Sequence, residues 1–349
     1  MSETEILKLD EIEDLALKAL VAAGTSNRNA VALARATAAT EADGIASHGL
    51  AYIPIYCEHV QCGKVDGNAE PALEQPRPGI IRVDAATGFA HPAIDLGFEA
   101  LIPAARTQGV AALGIYNSYN CGVLGYHTYR LAQEGLVAIG FTNAPASIAP
   151  VGANKPVVGT NPFSVATPSS KPGGEPDILI DQSSSAIAKS EVMKHAREGK
   201  DIPLGWALDA DGNPTTDPAL ALKGSMAPSG GYKGVGVALL VEIMAAALTG
   251  ANLGIHAAPF SGTEGGAPKT GQFFLAIDPN STANGGFFER IDRLTEAFRT
   301  QKTARIPGES RRANRLSARE KGVRVNVTTL AKIRAIVGST PTATPGSRL

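Results

Sequence analysis

"GGYKGVG", Gly230 to Gly236, is the glycine cluster on which the fold decision turns. Helices and strands alternate along much of the chain, a pattern that ordinarily means a doubly wound parallel sheet. In that fold a dinucleotide sits on a G-x-G-x-x-G turn directly after a strand. No strand-like segment here is followed by that fingerprint, and the spacing in Gly230–Gly236 is wrong for it. The cluster also lacks the Walker lysine–serine pair, which argues against a nucleotide triphosphatase. A glycine-rich helix start can still bind an anion through free N–H groups and the helix dipole, and Lys233 adds a point charge. The competing reading is a tight turn before a core helix.

Outward from the cluster, "GVGVALLVEIMAAALTGANLG" reads as a buried helix. It is the nearest approach to a membrane span, but Glu242 interrupts it. The 349 residues suggest two or three structural units, and 44% hydrophobic content supports a large core. With 32 basic and 33 acidic residues the net charge is −1, so no polyanion partner is indicated; nucleic acid binding would need a clustered basic face. Aromatic residues make up only 5%, which disfavours a stacking surface for sugars or single strands. The opening "MSETEILKLDEIEDLALKAL" is acidic and amphipathic, unlike a signal peptide. Cys57, Cys62 and Cys121 have no metal-ligand spacing and cannot all pair, so a reducing cytoplasm is expected.

The first block is helical. Ile12, Leu15, Ala16, Ala19 and Leu20 share one face before Gly24, Ser26 can cap a second helix, and a third covers "LAYIPIYCEHVQCG". Strands are expected at "GIIRVDAA", "VAALGIYN", "LVAIGFTNA", "NPFSVATP", "PDILIDQ" and "GQFFLAID", with helices between and after them. Of six histidines, none pairs with another at metal-ligand spacing and no H-E-x-x-H occurs. No G-x-S-x-G elbow is present. His59 and His195 read as surface residues of polar helices, and His127 as a packed or partly exposed helix residue. His48 and His91 read as residues of small-residue loops, the better setting for catalysis.

The segments "ADGIASHGLAYIPIY", "GFAHPAIDLGFEALIPAARTQGV", "PVGANKPVVGTNPFSVATP", "DQSSSAIAKSEV", "GGYKGVGVALLVEIM" and "RIPGESRR" occur in the order found in the malate/L-lactate dehydrogenase-like family. The resemblance spans about Leu7 to Val337. It implies a non-Rossmann α/β fold: a helical N-terminal domain (1–74), a mixed-sheet NAD(P)-binding domain (75–305) and C-terminal helices returning to the first domain (306–338); the tail at 339–349 is expected to be disordered from its composition. It implies a homodimer, a carboxylate substrate, and NAD or NADP as cofactor, with NADP slightly favoured.

The resemblance also implies roles. Ser47 and His48 match the family's serine and proton-donor histidine, and Glu191 falls where relatives carry an acid that orients this histidine. Thr160, Lys189 and Ser190 match substrate-contacting positions. Cofactor-contacting positions are matched by Asn120, Cys121, Gly122, Val123 and Leu124; by Asp181, Gln182 and Ser183; by Tyr232 and Lys233; and by Gly308, Glu309, Arg311 and Arg312. The two arginines suit phosphate groups. The chemistry is coherent, because reducing a ketone or imine takes a hydride at carbon and a proton at the heteroatom, which an imidazolium supplies near neutral pH. Two positions depart from the pattern. Tyr52 stands where many relatives have a carboxylate-binding arginine, and Asn120 stands where many have a histidine. The leading expectation is interconversion of a 2-oxo acid and a 2-hydroxy acid of the malate, lactate or sulfolactate class. The alternatives are reduction of a cyclic imine carboxylate, such as piperideine- or pyrroline-2-carboxylate, and a non-catalytic dinucleotide-binding protein.

Overall fold

The computed structural model describes residues 3–171 and 173–338. The tail expected at 339–349 lies outside the described residues.

A short strand β1 (Thr4–Leu7) leads into α1 (Leu9–Ala22) and α2 (Asn27–Ala42), and two 3-10 turns, Ala46–His48 and Leu50–Tyr52, lead into α3 (Ile53–Gln61). On α1, Ile12, Ala16, Ala19 and Leu20 are buried at helical spacing, facing Ala30, Leu33, Ala34 and Ala38 of α2. Small side chains on both faces let the two helices approach closely. Ser26 caps α2 by accepting the Asn29 N–H at 3.4 Å.

The central part runs β2 (Ala72–Arg77), β3 (Ile80–Asp84), α4 (Ala90–Gln108), β4 (Val110–Ser118), α5 (Leu124–Gln133), β5 (Val137–Thr142), β6 (Phe163–Ala166), β7 (Leu179–Gln182), α6 (Lys189–Glu198), β8 (Ala207–Leu208), α7 (Pro218–Lys223) and β9 (Ser225–Met226). It continues with α8 (Tyr232–Glu242, extended by a π turn at Ile243–Ala247), β10 (Thr270–Ile277), α9 (Asn280–Ala283), α10 (Phe287–Arg299) and α11 (Glu309–Lys321). The chain then forms β11 (Val323–Asn326) and α12 (Val327–Gly338).

Seven strands form one sheet in the order β2-β3-β4-β10-β5-β6-β7. Among the described residues of this sheet, β3 and β4 pair in parallel, through the α4 crossover, and the other strand pairings are antiparallel. β4, α5 and β5 do form a crossover unit, but β10 inserts antiparallel between the two strands. The local βαβ texture is therefore real, and the sheet is still not a doubly wound one. Gly97 lets α4 lie close on the sheet, since a Cβ there would meet Leu113 Cδ2 at 2.5 Å.

After the sheet is complete the chain returns to its start. β11 pairs antiparallel with β1, Thr4 opposite Asn326. Leu330 and Ile333 of α12 enter the same core as Ile12 and Leu20. The opening segment is thus strand before helix, because its partner arrives only at residue 323. Among the described residues no helix is long and apolar enough to cross a membrane.

Two histidine expectations are corrected. His59 is wholly buried, with Nδ1 bonded to the Tyr119 hydroxyl, because the aromatic cluster of α3 closes over a position that looks polar in sequence. His91 is not in a loop but in the first turn of α4, 3% exposed and packed against His127.

Candidate active site

The corner after α2 presents His48. Gly44, at φ +78°, turns the chain out of the helix, and α11 secures the turn from outside: Asn314 Nδ2 donates to the Asp43 carbonyl at 2.9 Å and the Arg315 guanidinium binds the Asp43 carboxylate. The Ser47 hydroxyl lies 2.9 Å from His48 Nδ1, which leaves Nε2 to exchange a proton. The His48 ring is half-buried and runs parallel to the Tyr52 ring, centroids 6.1 Å apart. Burial pulls the imidazole below its ordinary range, and the negative charge of Asp181 pushes it back up.

Asp181, in β7, is a carboxylate whose charge reaches His48. Glu191 faces along its own helix instead, with its carboxylate 3.7 Å from Lys194 Nζ. Asp181 accepts the Gly125 N–H at 3.1 Å and an Arg311 N–H at 3.0 Å. Gly125 has no side chain because a Cβ would stand 2.7 Å from Asp181 Oδ2 and 2.6 Å from Arg311 Nη1. Arg311 Nη1 itself is buried, 3.9 Å from the Asp43 carboxylate, and makes no hydrogen bond among the described residues.

Beside this cluster, Asp181, Gln182, Gly308 and Arg311 share the wall of a cavity of about 370 Å³. Tyr232 and Lys233 do not line it. They open α8, exposed, next to Gly231, which borders a second cavity of about 590 Å³ with Pro150–Asn154. Of the residues matched to cofactor contacts, Asp181, Gln182, Gly308 and Arg311 line the first hollow, while Tyr232 and Lys233 only adjoin the second through Gly231.

The G-T-N-P segment acts as a junction. Asn161 is fully buried at φ +36°, and its amide donates to Glu242 Oε2 at 2.6 Å and to the Ala238 carbonyl at 3.0 Å. Glu242 Oε1 in turn accepts the Gly254 N–H at 2.5 Å. The charge that interrupts the apolar run is thereby compensated inside the fold. Ser184 N–H donates to the Thr160 carbonyl at 2.8 Å and Ser229 N–H to the Ser184 carbonyl at 2.8 Å. These bonds fasten the Thr160 loop, the serine run after β7 and the glycine cluster to one another.

Other expected residues have plainer surroundings. Thr160 and Ser190 are half-buried, while Lys189 is exposed. Ser183 Oγ lies 3.0 Å from Ser185 Oγ. Cys121, Val123 and Leu124 point into the core at the start of α5, and burial pushes the Cys121 thiol up to about 12. Asn120 Oδ1 accepts from the Tyr56 hydroxyl at 2.9 Å and from Gly122 N–H at 3.2 Å, while its Nδ2 is buried with no hydrogen-bond partner among the described residues. Glu309 accepts the Ile306 N–H at 3.2 Å, closing the first turn of α11. Arg312 donates to the Pro176 carbonyl, and Arg311 is engaged with Asp181. In this structure both arginines that suited phosphate are thus held by the protein, because α11 docks against the segment leading into β7. Sequence reasoning placed Asp181 at the cofactor. Its position at a strand end, a frequent place for reactive side chains in α/β sheets, was the available signal.

The match to known proteins covers nearly the whole chain. The malate/L-lactate dehydrogenase family model matches residues 7–334. The chain is 44% identical to a (2R)-3-sulfolactate dehydrogenase (NADP(+)) of Chromohalobacter salexigens, over 91% of this chain and 93% of that protein. It is 38% identical to a Δ1-pyrroline-2-carboxylate reductase of Ancylobacter novellus, over 96% of this chain and 98% of that protein. Its structure superimposes on the crystal structure of Δ1-piperideine-2-carboxylate reductase from Pseudomonas syringae with a TM-score of 0.90 at 35% identity, covering 95% of this chain and 100% of that one. The chain belongs to the malate/L-lactate dehydrogenase family and is a nicotinamide-dependent oxidoreductase.

Proposed function

We propose that this protein interconverts a 2-oxo acid and a 2-hydroxy acid, using NADP(H), with His48 giving or taking the proton. The observation that carries this is the arrangement Ser47–His48–Asp181: a ring nitrogen fixed by a hydroxyl, in reach of a carboxylate's field, at a half-open corner. The similarity to an NADP-dependent sulfolactate dehydrogenase supports both the substrate class and the cofactor.

The residues present suit a dinucleotide. Arg311 Nη1, buried beside the cavity and 3.9 Å from the Asp43 carboxylate, makes no hydrogen bond among the described residues and so keeps a donor that an anionic group could take up. Asn120 Nδ2 is a second orphaned donor. Arg311, Gly308, Gln182 and Ser183 would hold the cofactor on one side, Lys233 and Tyr232 on the other; when bound, it supplies or accepts the hydride. Ser47 orients His48 and Asp181 offsets the burial that disfavours the imidazolium. Glu191 keeps a lesser part as a charge at the start of α6. Thr160, Ser190, Lys189 and Tyr52 would face the substrate, with Lys189 answering its carboxylate. Reduction of NADP+ by (2R)-3-sulfolactate, followed by absorbance, tests the reading, with malate and lactate beside it.

A second reading is favoured by one feature. Tyr52, stacked near His48 and packed edge-on against Tyr56, makes an aromatic wall where an arginine would bring charge. Such a wall suits the ring of a cyclic imine carboxylate, as the reductase relatives suggest. NADPH oxidation with Δ1-pyrroline-2-carboxylate tests it.

We also infer a homodimer, supported by the exposed apolar side chains Leu239, Leu240, Ile243 and Leu248 on and after α8. A cytoplasmic setting is supported by free Cys57, Cys62 and Cys121. The separate cores of the first helices and of the sheet support a division into a helical and a sheet unit, with its first boundary before Ala72 rather than at 74/75, because β2 belongs to the sheet.

A further inference from the structure

Glu41 lies near the end of α2, only 5% exposed, a poor place for a carboxylate unless something compensates it. Its Oε1 accepts the Leu50 N–H at 2.7 Å. That N–H opens the second 3-10 turn, Leu50–Tyr52, and has no partner within it. The carboxylate also fills the space over Gly49: a Cβ there would stand 2.2 Å from Glu41 Oε1 and 2.6 Å from its Cδ. The glycine of S-H-G is therefore explained by sterics, since any side chain would expel Glu41. On the other side of the corner, His48 N–H donates to the Ile45 carbonyl at 3.0 Å and Ile45 N–H to the Thr40 carbonyl at 3.1 Å. The backbone around His48 is thus held before the histidine by the end of α2, and after it by a side chain of the same helix.

We propose that Glu41 is a positioning residue for His48: its carboxylate, seated on Gly49 and bonded to Leu50 N–H, sets the turn that aims the imidazole. Glu41 touches no reacting atom in this account. It acts by fixing backbone, and a charged acceptor makes that hydrogen bond strong. Burial pushes the Glu41 carboxyl up, and the Leu50 N–H pulls it back down.

The inference rests on His48 as the proton donor, so its test separates the two claims. Turnover with (2R)-3-sulfolactate and with Δ1-pyrroline-2-carboxylate, NADPH affinity and the NMR titration of the His48 ring are measured on Glu41→Ala, Glu41→Gln, His48→Asn and the double variant Glu41→Ala/His48→Asn. Glu41→Ala is expected to lose about 10²-fold in kcat, the scale of a misplacement of about 1 Å. Its NADPH affinity should be unchanged, and its His48 titration should move up toward the ordinary histidine value as the ring loses its packed position. Glu41→Gln keeps an acceptor for Leu50 N–H and should recover most of the turnover. In the His48→Asn background Glu41→Ala should cost little more, because the two act as one unit. Wild-type turnover with an unmoved His48 titration in Glu41→Ala overturns the proposal, as does an equal further loss in the His48→Asn background. If His48→Asn keeps full turnover, the proton-donor reading fails instead, and the His48 titration in Glu41→Ala still decides whether Glu41 sets the ring.

Discussion

Arg311 Nη2 stands 3.0 Å from Asp181 Oδ2, so an arginine near the start of α11 holds the carboxylate whose charge acts on His48. The two residues are 130 positions apart in sequence and meet because the chain past the sheet folds back over β7. Asp181 raises the His48 pKa against the stronger effect of burial. Asp181→Asn should therefore lower it further. The oxidation rate, which needs a neutral imidazole, should then have its acidic limb at lower pH, and the reduction rate should begin to fall at lower pH. Glu191→Gln should move neither limb. pH–rate profiles of both variants check this, and a shift in Glu191→Gln equal to that in Asp181→Asn would restore the glutamate to the role expected from sequence.

Tyr52 is buried enough that its hydroxyl is pushed up to about 12, so it stays a neutral donor throughout the working range. It can give a carboxylate one hydrogen bond and no charge. Tyr52→Arg should reorder the substrates, favouring the small open-chain acids over cyclic imines, with little change in melting temperature. Lys189→Ala should raise KM for carboxylate substrates and leave kcat. Initial rates over the 2-oxo acid and imine panel decide this.

Lys233 begins α8 as an exposed cation beside two glycines at φ +65°. If it serves the cofactor, Lys233→Ala should weaken NADPH binding by roughly 1–3 kcal/mol, the range for hydrogen bonds to charged groups. Fluorescence titration measures it. Unchanged affinity would make the cluster only a turn before a helix.

Burial, with the Arg130 charge adding to it, pulls His91 down to about 3, and His127 is pulled down by burial with His91 and Arg130 as further causes. Both are neutral in the fold and take up a proton when unfolded below the ordinary histidine value of 6.5. Their contribution is thus full above that pH and is lost as pH falls. For His91 the loss approaches about 1.4 kcal/mol per pH unit well below 6.5 and ends near 3. His91→Leu should flatten the fall of stability with acidification, measured by denaturant unfolding at several pH values. An unaltered slope would contradict the assignment.

Much of this was legible in sequence. The six main strands, the three opening helices and the Ser26 cap follow from period and capping residues, and S-H-G identified the corner. Partners that arrive from far along the chain were not legible. β1 shows no strand pattern because its one strand neighbour among the described residues is the distant β11, and β10 separates β4 from β5 by entering from residue 270. The same remoteness hid the site's electrostatics. Asp181 lies ten positions before Glu191 in one motif, and the field it exerts at His48 follows from the packing of β7, α5 and α11, which no local pattern shows.

The most direct measurement is turnover, melting temperature and NADPH affinity on the same preparation of His48→Asn. The account predicts a loss of about 10²–10⁴-fold in kcat, the range for removing a positioned general acid. Melting temperature and NADPH affinity should stay near wild type, since among the described residues the half-buried ring hydrogen-bonds Ser47 alone and in this account it is not needed to hold the dinucleotide. A variant that melts earlier but keeps its turnover per folded molecule would contradict it and leave His48 a packing residue.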